Sequence, residues 1–189
     1  RRKSYRRFQS APVSLEELSF LCWATQGLRG PSEGHRNFRT VPSAGARHSF
    51  ETYLGLLNVT GVEPGLYRYL PFSHALIREF ACPATELGPR LTAAVLGQTF
   101  VGNSAAVFIW TTIPYRVEWH YGLAAHRVIP MDVGHVCQNL YLACEAIESG
   151  TCAVAAFDQV KMDELVHADG QDEFTIYLAP VGKVGPASE

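Results

Sequence analysis

FETYLGLLNVTGVEPGLYRYLPFSHALIREF, residues 50–80, decides how the fold is read. Residues 50–60 carry the β-branched and aromatic pattern of a strand. Pro64-Gly65 then turns the chain into LYRYL, and Pro71-Phe72-Ser73 turns it again into HALIREF, which is a β-hairpin pattern. Downstream, AAVFIWTTI (105–113) is a continuous apolar run suited to a central strand covered on both faces. Upstream, Ser14 and Glu17 form a capping box, and Leu15, Leu18, Cys22 and Thr25 follow at helical spacing. A helix is expected near 85–98 and a short one over 114–124. A long one is expected from about Asp132 to Ser149, with Asp132 as its N-cap, a stripe through Val133, Val136, Cys137, Leu140, Cys144 and Ile147, and Gly150 closing it. TCAVAAF reads as a strand, KMDELVH as a short helix and FTIYLAPVG as the last strand. Strands and helices do not alternate strictly, so the class is α+β rather than a doubly wound sheet. Gly27 to Thr40 lacks periodicity and reads as a long loop, of the kind that often carries function.

The totals narrow the partners. A chain of 189 residues suits one domain, expected over 1–189, with a core that needs no staples. A net charge of -2 argues against nucleic acid as a ligand. No apolar run reaches the length of a membrane span. Five cysteines without a C-x-x-C pair read as reduced thiols, which fits a cytoplasmic enzyme. The chain starts at Arg1 rather than Met, so residues upstream are expected.

Several segments could carry chemistry. Arg2, Lys3, Ser4 and Arg6 could clamp a phosphate, or form a solvated basic tail. Pro42-Ser43-Ala44-Gly45-Ala46 could let a ligand approach the backbone, or simply be a turn. His120 beside Tyr121 could move protons near neutral pH, or mark the end of a surface helix. Ala153 to Asp158 could leave backbone N–H groups facing a ligand, and Gly182-Lys183 could add a second phosphate contact. The histidines lack a zinc spacing. There is no G-x-S-x-G elbow, no Walker loop and no dinucleotide fingerprint.

Taken in order, these segments are more specific than any one alone. Arg2-Lys3-Ser4-x-Arg6, Pro42-Ser43-Ala44-Gly45-Ala46-Arg47-His48 with Glu51 and Tyr53, Pro64-Gly65-Leu66-Tyr67-x-Tyr69, and His74-Ala75-Leu76 run through the first half. Tyr121-Gly122, Arg127, Asp132-x-Gly134-His135 and Gln138-Asn139-Leu140 run through the second. Over nearly the whole chain this order resembles the FMN-dependent nitroreductase superfamily, in its SagB-type branch of thiazoline/oxazoline dehydrogenases.

The resemblance implies an α+β nitroreductase-like fold: a mixed central sheet flanked by helices, in an intertwined homodimer with two FMN molecules at the interface. It implies that Arg2, Lys3 and Ser4 hold the FMN phosphate. Arg6 would lie against the pyrimidine edge, where a positive charge stabilises the reduced ring. Ser43, with Pro42 and Ala44, would reach the flavin from the second subunit. Ala155 and Ala156 would place backbone N–H near flavin N5, and Lys183 would add the closing phosphate contact. The implied activity passes hydride from NAD(P)H through the flavin to a small electron-poor acceptor, such as a nitroaromatic or quinone. Two departures stand out. His120 precedes Tyr121 where azoline dehydrogenases carry lysine, and Ala155-Ala156 stands where many nitroreductases carry Glu-Gly. The first leaves azoline oxidation of a modified peptide as an alternative, with His120 and Tyr121 in the proton transfer. Both leave a non-catalytic flavin-binding protein as another.

Overall fold

The computed structural model describes residues 2–30 and 38–185; Arg1, the middle of the loop expected over 27–40 and the last four residues lie outside them. A helix, α1 (Leu15–Gln26), opens on the expected capping box: Glu17 N–H donates to the Ser14 hydroxyl and the Ser14 N–H to the Glu17 carboxylate. Three antiparallel strands follow, β1 (Phe50–Leu56), β2 (Gly65–Leu70) and β3 (Ala75–Ala81). Then come α2 (Ala84–Ala94), α3 (Thr99–Gly102), β4 (Ala106–Thr112), α4 (Tyr115–Tyr121), α5 (Ala125–Ala146), β5 (Ser149–Thr151), α6 (Gln159–Val166) and β6 (Phe174–Lys183).

The six strands form one sheet in the order β3-β2-β1-β4-β6-β5, and all five pairings are antiparallel. Parallel pairing enters as isolated bridges, from Ser4 to Thr151 at the β5 edge and from Val13 to Val59 just after β1, so the mixed character expected of the sheet lies in these bridges and not in its strands. Side chains on a strand alternate between faces. On one face Leu54, Leu56, Phe108 and Trp110 pack with α1 and α5; on the other Tyr53, Val107 and Ile109 pack with α2, α3 and α6. Helices thus cover both faces, which is why β4 is apolar at successive positions. Each large apolar side chain buried in this way contributes about 1.5–3 kcal/mol.

Three sequence expectations are corrected. Asp132 is not an N-cap: α5 begins at Ala125, seven residues earlier, and runs through Pro130. That proline forgoes a helical hydrogen bond. Ala125, Ile129, Val133, Val136, Cys137 and Leu140 nevertheless form one buried stripe across it, and packing overrides the break. Gly150 does not close the helix, which ends at Ile147 with Glu148 in the left-handed region; Gly150 pairs with Gly182 inside the sheet. TCAVAAF is not a strand beyond Thr151, and only Val154 bridges β6, at Leu178. The stripe from Val133 to Cys144 is core, so it offers no surface to a second subunit. The exposed side of α5 carries Met131, Gly134, Gln138 and Leu142.

Candidate functional site

The N-terminal arm runs beside β5 and β6. Tyr5 N–H donates to the Thr151 carbonyl at 2.9 Å and Gln9 N–H to the Lys183 carbonyl at 2.8 Å. Its seat is made by two missing side chains. A Cβ at Gly150 would lie 2.6 Å from the Tyr5 ring, and one at Gly182 would lie 2.8 Å from Phe8. The two glycines are cross-strand partners, so the arm's rings rest directly on backbone.

Seated there, the arm turns Arg2, Lys3, Ser4 and Arg6 outward, all exposed. The Ser4 hydroxyl lies 2.9 Å from the Tyr141 hydroxyl, which also accepts the Ala153 N–H at 2.9 Å. The Arg2 guanidinium sits 5.1 Å over the Tyr141 ring, and Arg6 sits 6.0 Å over Phe100. Close to Phe100, the Gln98 side chain donates to the Ala156 carbonyl at 2.9 Å and fixes the 155–156 backbone. Ala155 and Ala156 are exposed, and among the described residues their N–H groups have no acceptor. Among the same residues, Arg2, Lys3 and Arg6 make no ion pair. The face therefore presents cations, a hydroxyl and free backbone N–H groups together. That donor set suits a phosphate and the acceptor-rich edge of a flavin.

A second cluster surrounds Ser43. Its hydroxyl donates to Asp132 at 2.7 Å and accepts the His48 N–H at 3.0 Å, while the Ala44 N–H donates to Asp132 at 3.0 Å. Asp132 is buried, and its carboxylate fixes a loop in which Gly45, Ala46 and His48 all have positive φ. Such backbone is costly for residues with a Cβ and persists where neighbours hold it. A Cβ at Gly45 would sit 3.0 Å from the Tyr121 hydroxyl. The loop therefore lies against the end of α4, where the His120 and Tyr121 rings meet edge-on at 4.7 Å. Arg116 of α4 pairs with Glu51 of β1 at 2.7 Å and anchors that helix to the sheet. His120 is exposed and Tyr121 half-buried.

The structure thus gathers the expected residues into two groups. Arg2, Lys3, Ser4 and Arg6 share the arm that reaches the segment before Ala155 and Ala156, through the Tyr141 hydroxyl shared by Ser4 and the Ala153 N–H. Pro42, Ser43 and Ala44 share the loop that meets the His120–Tyr121 end of α4 through Gly45. Lys183 joins neither by its ammonium, which donates to Glu17 and, at 2.9 Å, to the Ile147 carbonyl, tying β6 to the ends of α1 and α5. Both groups hang from α5, through Asp132 and Tyr141. Nine residues separate these two, about 13 Å of rise and about half a turn of rotation. They therefore leave the helix on opposite sides. Sequence reading missed Tyr141 and Gln98. A tyrosine inside an apolar helical stripe needs a partner for its hydroxyl, and that was the available signal. The five cysteines are free and buried. Burial raises the thiols of Cys22 and Cys144, and pushes Cys137 up to about 12, so they are core residues rather than nucleophiles. Among the described residues no group of three or more His, Cys, Asp or Glu is placed to hold a metal, and no helix is long and apolar enough to cross a membrane.

Comparison with known proteins assigns the scaffold. Residues 1–183 match the nitroreductase family. A candidate nitroreductase of Methanocaldococcus jannaschii is 36% identical over 183 residues, covering 97% of this chain and 87% of that protein. The solved structure of a candidate nitroreductase from Ralstonia eutropha superposes with a TM-score of 0.79 at 25% identity, over 98% of this chain and 80% of that one. One from Anabaena variabilis superposes at 0.80 with 26% identity, over 88% of this chain, which spans only 34% of that longer one. A chain in the E. coli microcin synthetase McbBCD complex, solved with truncated pro-MccB17 bound, shares the fold at a TM-score of 0.80 and 20% identity, over 97% and 71% of the two chains. These define an α+β oxidoreductase. The chain belongs to the nitroreductase family, whose members generally use a flavin, typically FMN, and typically work as dimers with a nicotinamide cofactor.

Proposed function

We propose that this chain, as one domain over 1–189, is an FMN-dependent oxidoreductase that moves hydride from NAD(P)H to a small electron-poor acceptor such as a nitroaromatic or quinone. The observation that carries this reading is the face that, among the described residues, holds unpaired cations, a hydroxyl and free backbone N–H groups beside the arm on its Gly150–Gly182 seat. Bound FMN supplies the hydride exchange. Arg2, Lys3 and Ser4 hold its phosphate, and Arg6 places a positive charge at its pyrimidine edge; Lys183, engaged with Glu17 and the Ile147 carbonyl, takes no part. The free N–H groups of Ala155 and Ala156 face the ring. Pro42, Ser43 and Ala44 lie on the other side of α5, so they complete the site of a second copy in a homodimer. That copy covers the exposed side of α5 at Met131 and Leu142, beside Trp23. Buried reduced thiols suit a cytoplasmic enzyme, and no nucleic acid or membrane enters the reading.

Purified protein should be yellow and release FMN, not FAD, on denaturation. Arg2→Ala with Ser4→Ala should weaken FMN binding by roughly 1.5–3 kcal/mol per lost charge-assisted bond. Unchanged affinity would show that the arm, though seated, does not hold the phosphate.

A second reading, azoline oxidation in a modified peptide, draws support from His120 and Tyr121 packed together at an exposed helix end. There a base removes a proton as hydride leaves, a contribution typically worth about 10²–10⁴-fold. His120→Ala separates the two readings. Flavin content and nitroaromatic turnover nearly unchanged support the first. A yellow variant that no longer oxidises an azoline accepted by the parent supports the second.

A further inference from the structure

A cleft of about 440 Å³ opens beside the 45–48 loop, between the start of β1 and the β2–β3 turn. Its polar walls are Arg39, Arg47, His48, Glu51 and Arg116, and Phe72, two-thirds exposed, stands at its rim. The charges do not balance. Glu51 is matched by Arg116 at 2.7 Å, while Arg39 and Arg47 make no ion pair among the described residues. Each also keeps a buried Nε–H without an acceptor. Such a donor is costly to leave unmade. Burial holds the Arg39 guanidinium below its ordinary value; Glu51 opposes this and Arg116 adds to it.

The cleft adjoins the candidate proton-transfer pair. The Arg47 guanidinium stacks 4.4 Å over the Trp119 ring, next in sequence to His120. A Cβ at Gly45 would lie 3.3 Å from Arg47 Nε and 3.0 Å from the Tyr121 hydroxyl, so these two polar groups converge on one glycine. The size suits a small organic ligand. Arg39 already donates through one Nη to Gln26 at 2.7 Å, so the unpaired Arg47 fork and the remaining Arg39 N–H groups are what suit an oxyanion, and Phe72 offers an apolar surface to the ligand's body.

We propose that this cleft is an oxyanion subsite: Arg47 and Arg39 receive a carboxylate or phosphate carried by a ligand of the adjoining redox site, and so select anionic acceptors or a phosphorylated nicotinamide. This rests on the oxidoreductase reading for the identity of the ligand, but not for the binding of the anion.

The test has a binding part and a selectivity part. Acetate and inorganic phosphate are titrated into purified protein at constant ionic strength against chloride, and tryptophan fluorescence is followed. A saturable change with either anion is expected, absent in Trp119→Phe and weakened at least tenfold in Arg47→Met. Melting curves establish that both variants are folded. If Arg47→Met does not fold, the parent's response against chloride decides alone. No saturable response in the parent, or an undiminished one in folded Arg47→Met, overturns the proposal. The selectivity part compares KM for 4-nitrobenzoate with KM for uncharged 4-nitrobenzamide, and KM for NADPH with KM for NADH. A carboxylate preference that collapses in Arg47→Met assigns the oxyanion to the acceptor. Collapse of an NADPH preference assigns it to the nicotinamide. Neither preference in the parent overturns the selective role. Anion binding by a protein that fails to take up FMN would retain the subsite and remove the redox reading.

Discussion

The two groups that hang from α5 are built in opposite ways. The Ser43 loop is fixed by something present, the buried carboxylate of Asp132, which gathers a hydroxyl and a backbone N–H and holds left-handed backbone in place. The arm is fixed by something absent, the side chains of Gly150 and Gly182, whose bare backbone receives Tyr5 and Phe8. A carboxylate tolerates substitution by losing bonds one at a time. A seat made of empty space fails as soon as any atom enters it. The arm should therefore be the more brittle half, although Arg2, Lys3, Ser4 and Arg6 are exposed.

Gly150→Val breaks that contrast most severely. Its new side chain overlaps the Tyr5 ring near the ring's attachment to the backbone, where little can yield. The arm should lift, and losing the Arg2 and Ser4 contacts together should cost about 100-fold or more in FMN affinity. Fluorescence titration with FMN reads this, and wild-type affinity would show that the arm does not depend on its seat. Asp132→Ala comes next. It strands the Ser43 hydroxyl and the Ala44 N–H, and should cost about 2–3 kcal/mol in chemical denaturation. A change below about 0.5 kcal/mol would mean that the loop holds itself. Tyr141→Phe is the mildest. It removes the hydroxyl shared by Ser4 and the Ala153 N–H, worth about 1 kcal/mol, so FMN affinity should fall severalfold while the arm stays seated. A loss as large as that of Gly150→Val would transfer the anchoring role from the glycines to Tyr141.

Local patterns in the sequence located most of the elements. The Ser14–Glu17 capping box, the hairpin after Pro64-Gly65 and the apolar run of β4 each state their structure within a few residues, and each is found in place. What failed was reading single residues by their commonest role. Asp132 resembles an N-cap because aspartate is common there, yet the stripe from Ala125 to Leu140 carries the helix through Pro130 and past it. Gly150 resembles a helix stop, but its purpose lies with Tyr5, 145 positions away in the chain. The chemistry-bearing segments, and the split of Ser43 from the arm, were legible only through their resemblance to a family. Which of them meet depends on the two sides of α5, and that follows from packing rather than spacing. The cations at 39, 47 and 116 come from three separate segments, so nothing local marked them as a cluster.

The central claim is that the flavin site is shared between two copies, with the arm from one and Ser43 from the other. Sedimentation of the purified protein, followed by flavin absorbance and by protein absorbance, tests it most directly. The account predicts that flavin travels with a species of twice the 20.8 kDa chain mass, and that dilution to monomer releases it. A flavin-loaded monomer would contradict the account.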